Sequence, residues 1–229
     1  MSYPVVYPGP PNQVDFTAFL RTQAGISVAS LPDASPYIPD ALQIALDIVN
    51  ETINDAAPDV YTLAVYNLGT DRLINFAPDQ TPALATLTWL AGTVTATTVA
   101  PLPSNLLIGT DFITAIAGAV PTGYNGNVKA TVTGANTFTY ALPGNPGANT
   151  TPGTYLAPFF QVLRKSWNIN TIVTGVVEST NDNGTGMSLA VPEQLKSLTL
   201  SDLQRLKTPF GRTYMEIAQT YGQTLWGLT

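Results

Sequence analysis

One stretch of this chain, residues 81–154, is polar yet almost uncharged, and it constrains the fold more than any other feature. Its only charged residues are Asp111 and Lys129, and Thr, Gly, Ala, Pro and Val make up much of the rest. The flanking segments carry nearly all the other charges and show helical periodicity. A block of this composition between two ordinary segments is typical of a β module inserted into a host fold.

The block contains four segments in which β-branched or aromatic residues recur with partial two-residue alternation. Glycines and an Asn-Gly pair separate these segments at turn positions. Four or five short strands at this spacing predict a small antiparallel, Ig-like sandwich or barrel. The four segments span 93–99, 111–116, 127–133 and 136–142.

The N-terminal flank predicts a small helical bundle. Apolar residues recur there at helical spacing, and glycine or proline marks the helix boundaries. The predicted helices span 14–23, 38–54 and 60–76, and the third has apolar residues on more than one side. The four prolines among the first eleven residues predict an extended arm, either a disordered end or a segment that docks on a neighbouring subunit.

The C-terminal flank predicts a helix, a β-hairpin and two closing helices. The first helix spans 157–167, and a β-branched run at 171–178 has its candidate partner strand at 188–191. Between them, 179–186 is predicted to be a flexible tip, with Asn181, Asp182, Asn183 and Gly184 as the hairpin loop. The helix at 200–206 has Thr199 or Ser201 as its cap. The last helix starts at Thr208 and Pro209 and is predicted to end at Gly222.

The composition excludes most enzyme classes. The chain has no Cys and no His, so disulfides, thiolate sites, Ser-His-Asp chemistry and HExxH metal sites are excluded. It also lacks a phosphate-binding glycine loop. We therefore predict that the protein is not an enzyme and uses no cofactor or metal.

The charge content bears on assembly and on partners. Charged residues make up 10% of the chain, against about 25% in a typical soluble domain. Such a surface predicts that neighbouring subunits cover much of it. Residues 1–80 carry a net charge of −7 and residues 158–229 carry +1. No basic stripe or membrane span of about 18 apolar residues is present, so we expect neither specific nucleic-acid binding nor membrane insertion.

Short motifs in the two flanks carry a resemblance to a known protein family. They are Asp15-Phe-Thr-Ala-Phe-Leu, Ser35-Pro-Tyr-Ile-Pro-Asp, Tyr61-Thr-Leu-Ala-Val-Tyr-Asn-Leu-Gly, Leu163-Arg-Lys, Val191-Pro-Glu-Gln-Leu-Lys-Ser-Leu-Thr-Leu-Ser-Asp-Leu and Leu206-Lys-Thr-Pro-Phe-Gly-Arg. On these motifs, over roughly residues 12–80 and 156–229, the chain resembles a tailed-bacteriophage head–tail connector (adaptor, or neck) protein.

The central block separately resembles a small β module that recurs in phage structural proteins. The matching motifs are Ile108-Gly-Thr-Asp, Gly118-Ala-Val-Pro-Thr-Gly-Tyr-Asn-Gly and Asn136-Thr-Phe-Thr-Tyr-Ala-Leu. The module often has a His-Gly turn ahead of the first Gly-Asp. This chain has Pro101-Leu-Pro-Ser-Asn there instead, so any role of that turn does not carry over.

The resemblance implies an α+β fold, in which a small helical bundle with a β-hairpin is interrupted by the inserted module. Its divisions would be a connector half at 1–80, the module at 81–154 and a second connector half at 155–229. It also implies a homo-oligomeric ring in the virion neck, usually of twelve copies, made in the host bacterial cytoplasm. The ring would bind the phage portal and the tail or other neck proteins, and DNA would pass through its lumen. The implied portal or subunit interface is Pro209, Phe210, Arg212, Tyr214, Tyr221 and Trp226.

A second hypothesis is a baseplate, tail or host-surface recognition protein whose β module binds glycan. Tyr124 and Asn125 are candidates to touch a sugar, although an ordinary hairpin turn is the simpler interpretation. The aromatic residues of the C-terminal flank are likewise candidates for a ligand groove. Their helical spacing favours a core or subunit interface. This set is Phe159, Phe160, Trp167, Phe210, Tyr214, Tyr221 and Trp226.

Overall fold

The structure is a computed structural model that describes residues 9–171, 179–182, 185–188 and 199–226. Within these residues the fold is mixed α+β, with seven α-helices, a curled six-stranded antiparallel sheet and a two-stranded hairpin. The predicted α+β class is confirmed at this level. None of the helices in the described ranges has both the length and the apolar content of a membrane span.

Contacts group the chain into two compact units, and each is described by itself. The helical unit comprises Met1–Pro11, Ala41–Asn75 and Arg164–Thr229, and the sheet unit comprises Asn12–Asp40 and Phe76–Leu163. Both predicted borders, at 80/81 and 154/155, lie inside the sheet unit. The sheet unit therefore also contains the first helix and the turn-rich link after it.

The helices form close to where capping and periodicity predict them. Asn12 caps the first helix through a bond from the Asp15 N–H, and Thr199 forms a reciprocal capping box with Asp202. The helices are α1 Gln13–Thr22, α2 Tyr37–Ile48, α3 Thr52–Ala56, α4 Pro58–Phe76, α5 Phe160–Ser166, α6 Leu200–Arg205 and α7 Pro209–Trp226.

Two predicted helices differ in their boundaries. The span predicted at 38–54 is divided into α2 and α3, because the Asn50 side chain accepts hydrogen bonds from the Thr52 N–H and hydroxyl and turns the chain between them. The last helix does not end at Gly222 but continues to Trp226. A glycine in a helix interior costs only about 1 kcal/mol relative to alanine, so a single glycine does not by itself end a helix.

The sheet contains all four predicted strands and two more. Its order is β1-β2-β5-β4-β3-β6. A register shift between Leu84 and Thr86 interrupts the alternation of β1, which hides this strand in the sequence. The strands are β1 Leu84–Leu90, β2 Thr93–Thr98, β3 Asp111–Ala117, β4 Gly126–Gly134, β5 Thr137–Ala141 and β6 Thr154–Tyr155.

The sheet curls until its first and last strands meet. The Leu84 N–H donates to the Gly153 carbonyl at 2.9 Å, and the Tyr155 N–H donates to the Pro82 carbonyl at 3.1 Å. Inside the curl, the ring of fully buried Phe138 lies 5.4 Å from that of Phe112 and 5.3 Å from that of Tyr155. The apolar core of this unit therefore lies within the curl.

The chain enters and leaves the sheet at one place. The Ala157 N–H donates to the Gln80 carbonyl at 2.9 Å. One step further out, an Asp79 carboxylate oxygen accepts the N–H groups of Phe159 at 3.0 Å, Phe160 at 2.6 Å and Gln161 at 3.3 Å. This cap explains why α5 begins at Phe160 rather than at the predicted 157.

The hairpin differs from its predicted form. Its strands are β7 Ser179–Asp182 and β8 Thr185–Ser188, so residues predicted to be a flexible tip pair as strands. Within the described residues, Asp182 and Thr185 are the last pair of this ladder toward the predicted tip. The predicted strands at 171–178 and 188–191 fall almost entirely outside the described residues.

Candidate interaction surfaces

A buried hydrogen-bond chain anchors α7 to α4 within the helical unit. The Gly211 N–H donates to the Thr208 hydroxyl at 2.8 Å, and that hydroxyl donates to the Asp71 carboxylate at 2.6 Å. Thr208 and Asp71 are each 1% exposed. Thr208 is thus the N-cap of α7 that the sequence predicts. Its hydroxyl also supplies a hydrogen bond to the carboxylate of Asp71, 137 positions earlier.

Charged and aromatic groups surround this anchor. Burial raises the pKa of Asp71 above its ordinary value, and the Thr208 hydrogen bond and the charges of Arg72 and Arg205 oppose that rise. The Arg205 guanidinium lies 5.5 Å from the ring centre of buried Tyr214 and bonds Asp202 at 2.9 Å. These contacts make the first two turns of α7 part of the unit's own core.

The predicted portal or subunit interface divides into different environments. Tyr214 is buried, Arg212 is exposed, and Pro209, Phe210 and Tyr221 are half-buried. Trp226 belongs to α7, but its side chain lies outside the described residues. Tyr214 is therefore held by its own unit, whereas Arg212 is open to a partner.

Apolar side chains remain uncovered on the helical unit. Ile44 and Ile48, one turn apart on α2, are 37% and 40% exposed, and Leu200 is 65% exposed. On α7, half-buried Ile217 and Tyr221 are also one turn apart. Apolar pairs on two helices are the kind of surface that a second subunit covers.

The predicted hairpin loop is only partly described. Asn181 and Asp182 belong to β7, and Asn183 and Gly184 lie outside the described residues. The sequence-based hypothesis that this loop reaches a neighbouring subunit or the channel stays a prediction.

The outer face of the sheet carries a lattice of threonines, which we call the threonine face. Register places Thr88 opposite Thr95, Thr95 opposite Thr139, Thr139 opposite Thr131 and Thr131 opposite Asp111. A second row contains Thr86, Thr97 and Thr137. Neighbouring strands lie about 4.8 Å apart, so the hydroxyls form a regular polar surface. The first row ends at the exposed ion pair between Asp111 and Lys129. The signal in the sequence is a Thr-x-Thr repeat in each of four strands.

An apolar groove of about 630 Å³ lies elsewhere on the sheet unit. Its wall combines the link after α1 with the segments that precede β1 and follow β2. None of its lining residues in the described part of the chain is charged. The lining includes Val28, Pro32, Pro82, Ala100, Pro101 and Leu102.

The two residues suggested for sugar contact have structural bonds. Tyr124 is 2% exposed and donates its hydroxyl to the Gly147 carbonyl at 2.8 Å. The Asn125 amide accepts from the Ala119 N–H and donates to the Ala119 carbonyl. These bonds favour the turn interpretation for Asn125.

No group of three or more acidic residues in the described ranges is placed to hold a metal ion. Comparison with protein-family models, curated proteins and solved structures finds no match to this chain.

Proposed function

We propose that this protein is a structural component of a tailed-phage virion, a ring-forming head–tail connector that links the portal to the tail. The observation that carries the proposal is the set of uncovered apolar residues on the helical unit, Ile44, Ile48 and Leu200. A chain with 10% charged residues has little electrostatic repulsion to keep such surfaces apart. Association of several copies into a closed ring would bury these apolar residues away from water.

The proposed parts have separate tasks. The helical unit forms the ring body, and the later turns of α7 with Arg212 contact the portal. The acidic excess of residues 1–80 lines a lumen that repels DNA phosphates, so DNA passes without binding. The curled sheet is the inserted phage-type, Ig-like module, and its adjacent ends support an insertion that leaves the host fold intact.

The first experiment is the mass of the purified full chain, alone and mixed with the portal protein of the same virion. Twelve copies of a 24.2 kDa chain weigh about 290 kDa. Native mass spectrometry should show a closed assembly of that order in one or both samples. A chain that stays monomeric in both refutes the connector proposal.

A matched pair of variants tests the surface itself. Ile48→Glu places a charge on the uncovered apolar pair, and Gln43→Glu places the same charge at another exposed position of α2. We expect only Ile48→Glu to abolish the assembly, with circular dichroism unchanged for both. If both variants assemble equally well, the uncovered apolar pair does not mediate assembly, and the proposal loses its main support.

The threonine face favours a second candidate function, glycan recognition by the sheet unit on a baseplate, tail or virion surface. Rows of neutral hydroxyls match the hydroxyls of polysaccharides in polarity and lack of charge. A glycan array probed with the full chain tests this function. Reproducible binding to a glycan supports this function, and no binding to any glycan on the array refutes it.

A further inference from the structure

A small polar cleft lies in the sheet unit along one edge of β1. That strand pairs with β2 on one side, and on its other edge the described backbone hydrogen bonds stop at Leu84. Beyond that point Thr88 and Trp89 line the cleft with the segment from Asn145 to Asn149. Its volume is about 260 Å³, just below the range of about 300–1,000 Å³ that encloses drug-sized ligands. The cleft therefore suits a ligand as small as one sugar ring.

Hydrogen bonds hold the walls of the cleft in place. The Trp89 indole N–H donates to the Leu142 carbonyl at 2.8 Å, which fixes the half-buried ring. The Asn145 side-chain oxygen accepts the Gly147 N–H at 2.9 Å. The Asn149 amide donates to the carbonyls of Val120 and Thr151, each at 3.0 Å. A site fixed in this way loses little conformational entropy when a ligand binds.

The same bonds leave a defined set of polar atoms unused. Within the described residues, the Asn145 amide nitrogen, the Asn149 amide oxygen and the Thr88 hydroxyl have no protein partner. They supply a donor, an acceptor and a group that is both. Among the described residues that line the cleft none is charged, so its chemistry favours a neutral ligand.

We propose that this cleft binds a single neutral pyranose ring, either as a free sugar or as an end unit of a polysaccharide. The apolar face of the ring packs on Trp89, and its hydroxyls bond Asn145 and Asn149. Thr88 also begins the first row of the threonine face, along which a longer chain continues from the cleft. This inference rests on the second candidate function and is independent of ring formation.

Titration of the full ¹⁵N-labelled chain with neutral methyl glycosides at millimolar concentrations tests the site. The chain has three tryptophans, and Trp89→Phe identifies the Trp89 indole signal. We expect saturable shifts of that signal with at least one neutral glycoside. If the protein binds the polysaccharide but not the free sugar found at its end, the ligand is an end unit within a polymer. If it binds both, a single pyranose is sufficient as the ligand.

One variant removes a ligand contact. Asn145→Asp keeps the oxygen that bonds Gly147 while it removes the free donor. It should weaken binding about threefold to tenfold, the range expected for one hydrogen bond. The matched control is Asn136→Asp, which makes the same change at an exposed position outside the cleft and outside the threonine face and should leave affinity unchanged.

Three results overturn the site. The first is no shift at Trp89 with any neutral glycoside, and the second is an equal loss of affinity in Asn136→Asp. The third is binding only of extended peptides that pair with the open edge of β1. The mass experiment is unaffected by any of these results, so failure of the cleft and failure of the connector proposal remain distinguishable.

Discussion

Replacement of Thr208 by valine tests the anchor between α7 and α4. Valine has nearly the shape of threonine, so the variant removes the hydroxyl and leaves no cavity. Two interactions are lost together, the cap on the Gly211 N–H and the hydrogen bond to the Asp71 carboxylate. Thr208→Ser is the matched control because it keeps the hydroxyl and loses only a methyl group.

The structure sets the size of the expected effect. Loss of a threonine cap costs about 1 kcal/mol. A buried acceptor left without its partner costs about 1–3 kcal/mol more, and Asp71 is 1% exposed. We therefore expect Thr208→Val to lower the free energy of unfolding by about 2–4 kcal/mol. Thr208→Ser should cost about 0.8 kcal/mol, the value of one buried methylene-sized group.

Urea denaturation followed by circular dichroism at the helical minimum measures both variants. The comparison uses the transition that loses the most helical signal, because the chain has two compact units that can unfold separately. If valine costs no more than serine, the hydroxyl does not stabilise the fold and the interpretation of the anchor is wrong.

Three further predictions concern stability. Asp79→Ala should destabilise the sheet unit by about 1–2 kcal/mol in urea denaturation, because three N–H groups lose their shared acceptor. An unchanged stability contradicts the role of Asp79 as a helix cap. Gly211→Ala should lower the melting temperature, although alanine normally favours helices. A Cβ at this position would lie under 3.0 Å from the Arg205 carbonyl and from the Asp71 carboxylate. A rise in the melting temperature contradicts this packing. Burial raises the pKa of Asp71, so protonation of this carboxyl stabilises the folded state. This stabilisation is fully present below a pH of about 3.8, the ordinary pKa of the group, and is lost as the pH rises through the folded-state pKa. Unfolding free energies of wild type minus Asp71→Asn should therefore fall as the pH rises above 3.8, and a constant or rising difference refutes the assignment.

Local chemistry made much of the secondary structure predictable. Thr199 and Thr208 precede helices whose first turns need an acceptor, and both cap as the sequence predicts. The four predicted strands combine partial alternation, β-branched or aromatic residues and flanking turn glycines, and these local signals are enough to find them. In contrast, β1 carries a register irregularity and β6 has two residues, so neither gives a periodic signal.

The interaction surfaces were less predictable. The Thr-x-Thr repeats are visible in the sequence, but only strand register aligns them into rows across the sheet. The polar cleft joins Trp89 to a loop more than fifty positions later, and no spacing rule connects them. The exposure of Ile44 and Ile48 likewise depends on which face of α2 the rest of the unit covers.

By itself, the sequence determined that this protein lacks His and Cys chemistry, carries little charge and contains an almost uncharged, threonine-rich block with strand signals between helical segments. Those properties depend on residue identity or on interactions within a few positions. Tertiary structure alone decided that residues 12–40 pack with the sheet, that Asp79 caps a helix eighty residues away and that Asp71 meets Thr208. The physical reason is that such contacts depend on how distant elements are brought together, and short-range periodicity carries no record of that arrangement.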